Sequence, residues 1–226
     1  MPFSQQSIDF LFENRLHDSK QWFNEHKEDY NTLVKEPMSK LVLDLAPTMM
    51  KIDKQIICDP RRISRLYRDA RMHPDSIFRD HIWYSFGRMK SGYDPRPEFY
   101  FCIGAGGMEF GCGYYCARPA TMEAARKLIL SGDDSFKKAF LAVQKQKSFE
   151  LYGEPYKRNR YPEQPPEIGN WLNRRSLGLS GELTDPEIMF TDKLTSHIAK
   201  EFKKIAPVYE FYLKAEALAT NPDELT

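Results

Sequence analysis

Apolar and polar residues alternate in the middle of the chain and predict a β-hairpin there. The stretch PEFYFCIGAGGMEFGCGYY contains two alternating runs on either side of a glycine-rich turn. If Gly104 pairs with Gly107, six apolar side chains point to one face of the hairpin, namely Phe99, Phe101, Ile103, Met108, Phe110 and Cys112. The other face then carries Tyr100, Cys102, Glu109, Gly111, Gly113 and Tyr115. One face should therefore join the core. The glycines leave the other face shallow, either as an open floor or as a surface on which a helix packs closely.

Three more segments are candidate strands. DHIWYSF alternates around residue 81, and RRSLGLSGEL predicts a final strand near residue 175. The segment from Arg61 to Asp69 allows two interpretations. On a helix its arginines form a solvated face, whereas on a strand each face mixes apolar and cationic groups, which places guanidinium groups along a cleft or within the fold. We prefer the strand, because Pro60 precedes the segment and ARMHPD breaks it after one short run.

Helical periodicity and capping residues mark both ends of the chain and one central region. The predicted helices begin at Ser7, at Asp18 or Ser19, at Pro37, at Pro119 and after Asp133. Near the C-terminal end a stripe at helical spacing contains Leu194, Ile198, Phe202, Ile205 and Tyr209, with a kink expected at Pro207. These patterns predict an α+β fold. We expect a single domain over residues 1–226, with a mostly antiparallel sheet of about four to six strands covered by N- and C-terminal helices.

Composition and charge indicate a globular protein but do not indicate its function. Apolar residues make up 41% of the chain and charged residues 29%, which is typical of a globular protein. Because 33 Lys and Arg nearly cancel 32 Asp and Glu, electrostatic recognition must be local. Neither a leader pattern nor a long apolar run is present, and the four cysteines form no CxxC pair. We therefore expect a soluble cytoplasmic protein with reduced thiols.

Positive charge is concentrated in RRISRLYRDARMHPD and the residues after it. Between Asp59 and Lys90 there are eight Lys and Arg against four Asp, so the stretch carries four net positive charges. Our leading hypothesis is a pocket for a small anionic ligand, bearing phosphate or carboxylate, with charge-assisted hydrogen bonds from Arg65, Arg68 and Arg71. In this hypothesis Asp69 orients an arginine, and Tyr67 and Trp83 stack on the ligand. Lys157 and Arg158 close over it from the proline-rich loop YGEPYKRNRYPEQPPEIG.

The strand interpretation also predicts how the arginines divide between the ligand and the protein interior. Arg65 and Arg68 should project to opposite faces, because side chains alternate along a strand. We expect Arg68 and Arg71 to face the ligand, and Arg65 to be more buried and paired with a carboxylate. An equally weighted alternative is a structural network, in which Arg68 or Arg71 pairs with Asp69 or Glu109.

Two other functions are open at this point. In the first, the protein is an enzyme acting on the anion, with His73 or His81 as general base and Glu109 as partner carboxylate. In the second, it is a non-catalytic binding module for RNA or a protein partner. Its basic, aromatic surface would combine the arginines with residues of the proline-rich loop, namely Tyr152, Tyr156, Lys157, Arg158, Arg160 and Tyr161. The proline-rich loop balances three positive residues against three glutamates, so we do not expect nucleic acid as a partner. The histidine spacings supply no metal-ligand pattern, and we expect neither a metal site nor a cofactor.

A resemblance to a known family covers nearly the whole chain. RISRLYRDARMHPD, FLFENRLHDSKQWFNEHKEDY and FYFCIGAGGMEFGCGYYCARP together resemble the family catalogued as domain of unknown function 2461. The most specific part is an R-x-x-R-D-x-R core at Arg65, Arg68, Asp69 and Arg71. Where relatives continue with a lysine-rich stretch, this chain has DSIFRDHIW, which leaves Arg79 as the nearest cation. The resemblance implies a single domain and supplies no activity.

Overall fold

The computed structural model of the protein describes residues 2–89 and 95–220. These residues form an α+β fold with a five-stranded, open antiparallel sheet and helices at both ends of the chain, so the predicted fold class is confirmed. The strands are β1 (His81–Phe86), β2 (Glu98–Gly104), β3 (Gly107–Gly113), β4 (Glu150–Tyr152) and β5 (Gly178–Leu183). Their order across the sheet is β1-β2-β3-β5-β4.

The helices occupy both ends of the chain and its centre. They are α1 (Gln5–His17), α2 (Lys20–Glu25), α3 (Lys27–Asp29), α4 (Glu36–Ile52), α5 (Pro119–Leu130), α6 (Asp134–Gln144), α7 (Pro166–Leu172), α8 (Pro186–Met189) and α9 (Lys193–Thr220). The helix predicted from Pro119 to Leu130 and the helix capped by Asp133 are confirmed. The N-cap of α1 is Ser4 and not Ser7, which instead accepts the backbone N–H of Ser4. Helix α9 continues through Pro207.

The central hairpin follows the predicted pattern. Ala105 and Gly106 form the turn between β2 and β3, and Gly107 adopts a φ of 115°, which favours glycine. All six side chains assigned to the core face are buried. The hairpin was predictable because its turn and its alternation are both local in sequence.

The strand predicted from Arg61 to Asp69 is wrong. Pro60–Arg62 form a 3₁₀ turn, in which the side chain of Asp59 accepts the backbone N–H of Arg61. The chain then runs extended and makes one isolated antiparallel bridge, between Tyr67 and Phe78. The fifth strand of the sheet is instead β4, which pairs with β5 from Glu150 opposite Ser180 to Tyr152 opposite Gly178.

The described residues divide into two compact units, to both of which β2, β3, β5 and α9 contribute. The first unit contains residues 2–86, 100–110 and 182–200, and its core includes Phe3 stacked on Phe101 and Phe110 against His197. The second unit contains residues 87–89, 95–99, 111–181 and 201–220. In its core, Phe99 packs on Phe202 and Tyr209 of α9, and Trp171 packs on Phe136 and Phe211. The assignment of residues 1–226 to one domain stays a prediction.

None of the helices among the described residues combines the length and the apolar character that crossing a membrane requires.

Candidate functional site

Two segments of the first unit lie side by side and carry the arginines that the sequence singled out. The backbone N–H of Arg68 donates to the carbonyl of Ile77, and that of Arg79 donates to the carbonyl of Leu66, each at 2.8 Å. Behind this short ladder, Tyr67 packs on Phe78 and Phe23, with ring centroids 4.6 and 5.6 Å away. The segment from Arg65 to Arg68 is therefore ordered by the segment that ends at Arg79.

Arg79 holds this ladder together with its side chain. Its Nη1 donates to the carbonyl oxygens of Arg65 and Tyr67, at 2.7 and 2.6 Å. The guanidinium also lies over the ring of Trp83, 5.1 Å from its centroid. Burial lowers the pKa of Arg79, and the positive charges of Arg68 and Arg65 lower it further. The guanidinium group of Arg79 is thus close enough to those of Arg68 and Arg65 to be repelled by both.

Nearby carboxylates offset part of this repulsion, since Asp69 interacts with the charges of Arg79 and Arg65 and Asp80 with that of Arg68. Arg68 is half-buried, and its Nε donates to the carbonyl of Phe78 at 2.9 Å, whereas Arg65 is exposed. Within the part of the chain that the structure describes, neither of these guanidinium groups, nor that of Arg79, forms a salt bridge with a carboxylate. We call Arg65, Arg68 and Arg79 the arginine cluster.

Arg71 is not counted in the arginine cluster, because its guanidinium group pairs with a carboxylate. Its side chain is 87% exposed and binds Asp69 through Nε at 3.1 Å and Nη2 at 2.7 Å. The hydrogen bonds from Arg71 lower the pKa of Asp69 to about 2. This is the pairing that the structural alternative predicted. It also corrects the expected division of the arginines, because Arg65 is exposed without a salt-bridged carboxylate and Arg71 is the paired one.

A cavity of about 360 Å³ lies within the first unit, at one end of the shallow sheet face. Its lining includes Asp80, His81, Cys102, Glu109, Glu182 and Thr184. His81 donates from Nδ1 to Oδ1 of Asp80 at 2.7 Å, and this hydrogen bond lowers the pKa of Asp80. Burial raises the pKa of Cys102 to about 12, with smaller contributions from the charges of Glu109 and Asp80. The cavity therefore holds a histidine–carboxylate pair beside a protonated thiol.

Trp83 contacts both the cavity lining and the arginine cluster. The ring of Trp83 lies 5.6 Å from that of His81 and also lies beneath Arg79. In addition, the positive charge of Arg68 contributes to the lowered pKa of Asp80. A ligand held by the arginines would thus have His81 within its neighbourhood.

The structure brings together two of the three weak catalytic candidates. His81 and Glu109 line the same cavity, and Glu109 also accepts a hydrogen bond from the hydroxyl of Tyr100 at 2.5 Å. His73 lies in the exposed turn after Asp69 and is not part of the lining. No group of three or more His, Cys, Asp or Glu residues in the described ranges is placed to hold a metal ion.

Several site residues escaped the sequence reasoning or lie elsewhere. Lys157 and Arg158 are exposed residues of the second unit, and their closure over the arginine cluster stays a prediction. Lys90, at the end of the counted stretch, lies outside the described residues. Asp80 directly precedes His81 in the sequence, and the structure pairs the two side chains. Glu182 had no such signal, because β5 enters the sheet from far along the chain.

Comparison with known proteins agrees with the resemblance seen in the sequence. A family model described as "Conserved hypothetical protein (DUF2461)" matches residues 6–211. A search of curated proteins gave no match.

Proposed function

Since the chain belongs to the DUF2461 family of conserved hypothetical proteins, whose description assigns no activity, we propose a function from the site itself. The arginine cluster binds a small anionic ligand that bears a phosphate or carboxylate group. The observation that carries this proposal is that Arg79 binds the backbone of Arg65 and lies near the charges of Arg65 and Arg68, while none of the three guanidinium groups forms a salt bridge to a described carboxylate. A bound anion would relieve their repulsion and accept charge-assisted hydrogen bonds from their free donors.

The division of roles within the cluster supports this proposal. Arg79 uses Nη1 on two backbone carbonyls, and Arg68 uses Nε on a third, so both guanidinium groups are fixed in position. The side chain of Arg65 makes no hydrogen bond to any residue in the described ranges. Two rigid arginines and one adaptable arginine can meet different oxygens of the same phosphate, and the fixed pair limits the entropy lost on binding.

The test is a thermal-shift screen of nucleotides, sugar phosphates and dicarboxylates, followed by calorimetry on the best ligand. A ligand at 100 times its Kd should stabilise the protein by about 2.7 kcal/mol. Arg65→Gln should weaken binding by roughly 10-fold or more, because a hydrogen bond to a charged group is worth about 1.5–3 kcal/mol. Without ligand this variant should keep its melting temperature, since Arg65 holds no part of the fold.

Arg62→Gln is the matched control, because Arg62 is exposed on the same segment and the substitution removes the same charge. It should change the affinity less than about two-fold, as expected for a screened charge at the surface. A screen in which no ligand class raises the melting temperature contradicts the proposal. So does Arg65→Gln if it unfolds the protein, since the arginines would then be structural.

A second candidate function is an enzyme acting on the bound anion, favoured by the His81–Asp80 hydrogen bond in the adjoining cavity. With Nδ1 held by Asp80, Nε2 of His81 is left to take or give a proton as a general acid–base group. The arginine cluster would fix the anionic group, and the cavity would receive the reacting group.

Turnover of p-nitrophenyl phosphate and p-nitrophenyl acetate tests this second function. His81→Gln should lower the rate by about 10²–10⁴-fold, the usual contribution of general acid–base catalysis. His73→Gln serves as control, since His73 is exposed and does not line the cavity. Equal rates for the wild-type protein and His81→Gln would assign any turnover to another group.

A further inference from the structure

A second group of arginines surrounds one tyrosine in the second unit. The Cζ atoms of Arg160, Arg126 and Arg175 lie 3.6, 5.3 and 5.8 Å from the ring centroid of Tyr156. We call these four residues the Tyr156 cluster. It lies in the proline-rich loop and the segments against it, and it is independent of the arginine cluster of the first unit.

Arg126 is the structural member of this cluster. Its side chain is 3% exposed, and its guanidinium donates to the carbonyls of Leu172 and Arg174 and to the hydroxyl of Tyr156, at 3.1, 2.7 and 3.0 Å. It also pairs with Glu123 at 2.6 Å. These hydrogen bonds engage Nε, Nη1 and Nη2 of Arg126 and fix the position of the Tyr156 ring.

Arg160 is the member that is free to bind. At 3.6 Å from the Tyr156 centroid its guanidinium is stacked on the ring, yet the residue is exposed and its side chain makes no hydrogen bond to a described residue. Its backbone is fixed, because its N–H donates to Oδ1 of Asn173 at 2.8 Å. Asn173 in turn donates to Oδ1 of Asn159 at 2.6 Å. A preformed loop therefore presents a flat cation to the solvent.

The fold also changes the local charge. Counted along the sequence, the positive and negative residues of the proline-rich loop cancel. This zero net charge is an argument against nucleic acid as a partner. The fold adds Arg175, whose backbone N–H donates to the carbonyl of Glu154 and whose Nη1 lies 3.4 Å from Oε2 of Glu154. With Arg175 added to Lys157, Arg158 and Arg160, the loop has four cations against three glutamates, Glu154, Glu163 and Glu167, an excess of one. Glu163 and Glu167 follow further along, in the loop and in α7.

We propose that the Tyr156 cluster, with Lys157 and Arg158, binds single-stranded nucleic acid. Unstacked bases pack on aromatic rings and on guanidinium planes, and the stacked Arg160 offers such a plane already in position. Arg175, Lys157 and Arg158 neutralise the neighbouring phosphates. Exposed cations spread along a loop suit an extended polyanion, whereas a small anion is better held by convergent groups such as those of the first unit.

The experiment is fluorescence anisotropy with a labelled 12-residue oligouridylate and the full chain, between 25 and 200 mM NaCl. Binding should weaken linearly in a plot of log Kd against log salt, with a slope of about 0.7 for each phosphate contact. Arg175→Gln should reduce that slope by about 0.7. Arg160→Gln should reduce it similarly and weaken binding by about 5- to 100-fold, because the base loses its stacking plane.

Lys138→Gln is the matched control, since Lys138 is an exposed residue of the same unit whose side chain has no hydrogen bond within the described ranges. It should leave both slope and affinity unchanged. The Lys157→Gln/Arg158→Gln double variant, which changes two exposed side chains, provides a second measurement in case Arg160→Gln perturbs the loop.

Three results would overturn the proposal. The first is an absence of binding at 25 mM NaCl. The second is an equal effect of Arg160→Gln and Lys138→Gln. The third is competition by inorganic polyphosphate of the same charge with the same affinity, because bases would then contribute nothing. None of these three results bears on anion binding by the arginine cluster of the first unit. The failure of one proposal can therefore be told apart from the failure of the other.

Discussion

The carboxylate of Asp18 accepts the backbone N–H of Phe78 at 2.9 Å. It also accepts the N–H of Ile77, at 3.0 Å. Asp18 follows the last turn of α1 in the left-handed region, with a φ of 45°, and its side chain is only 21% exposed. One side chain at the end of a helix therefore satisfies two donors of the segment that leads to Arg79.

We predict that Asp18→Ala destabilises the protein by about 2–4 kcal/mol, because two backbone donors lose their acceptor in a partly buried place. Asp18→Asn should cost less than half of that amount, since asparagine keeps one oxygen and tolerates the left-handed region. Urea unfolding measures both values. Asp9→Ala, at an exposed position of α1, should change the free energy of unfolding by less than about 0.5 kcal/mol. Equal losses for Asp18→Ala and Asp18→Asn would mean that the charge, and not the acceptor geometry, matters.

The Asp69–Arg71 pair predicts a pH dependence whose sign follows from the lowered pKa. The pKa of Asp69 in the folded protein, about 2, lies below its ordinary value of 3.8. The pair therefore stabilises the folded protein above about pH 4, and this contribution is lost as the pH falls towards 2. A carboxyl-carbon NMR titration should find the low pKa in the wild-type protein and a higher pKa in Arg71→Gln, in which the backbone N–H of residue 71 still donates to Asp69. Arg62→Gln should leave the titration of Asp69 unchanged.

The parts of the fold that the sequence predicted are those decided by neighbouring residues. The hairpin turn at Ala105 and Gly106 lies between the strands that it joins, and Asp133 caps a helix that starts at the next residue. The segment after Arg61 was assigned wrongly because distant groups decide its conformation. Arg79 binds the carbonyls of Arg65 and Tyr67. The pattern of apolar and polar residues around Arg65 does not indicate these contacts.

Residue type alone indicated part of the functional site, whereas contacts between distant segments were missed. His81 and Glu109 were candidates for chemistry because of their residue types, and they line one cavity once the sheet is formed. The exposure of Arg65 was missed because side-chain alternation was applied to a segment that is not a strand. Tyr156 and Arg160 were recognised as part of one basic, aromatic loop, but Arg126 and Arg175 were missed because they belong to separate stretches of the sequence. Only the fold brings them to one ring.

The close approach of Gly153 to Ser176 predicts a position that tolerates no side chain. Gly153 has a φ of 127°, and a Cβ atom there would lie 1.9 Å from the carbonyl oxygen of Ser176. Gly153→Ala should therefore cost more than about 2 kcal/mol, since both the backbone conformation and the space oppose it. Gly106→Ala is the control, because a Cβ at Gly106 would meet nothing within 4 Å. Chemical denaturation of the two variants makes the comparison. If both alanines are tolerated equally, the chain around Gly153 can shift.

The four cysteines predict an order of reaction with a thiol reagent. Cys116 is exposed, whereas Cys112 is fully buried. Burial raises the pKa of Cys58 to about 11 and that of Cys102 to about 12, from 9.0. A rise of three units lowers the thiolate fraction about 10³-fold, and the thiolate is the nucleophile. With DTNB at pH 8, Cys116 should therefore react first, Cys58 and Cys102 slowly, and Cys112 only when the protein unfolds. Cys116→Ser should remove the fast phase alone, and all four thiols should react in urea. A fast phase that persists in Cys116→Ser would place a reactive thiolate at Cys58 or Cys102, contrary to their raised pKa values.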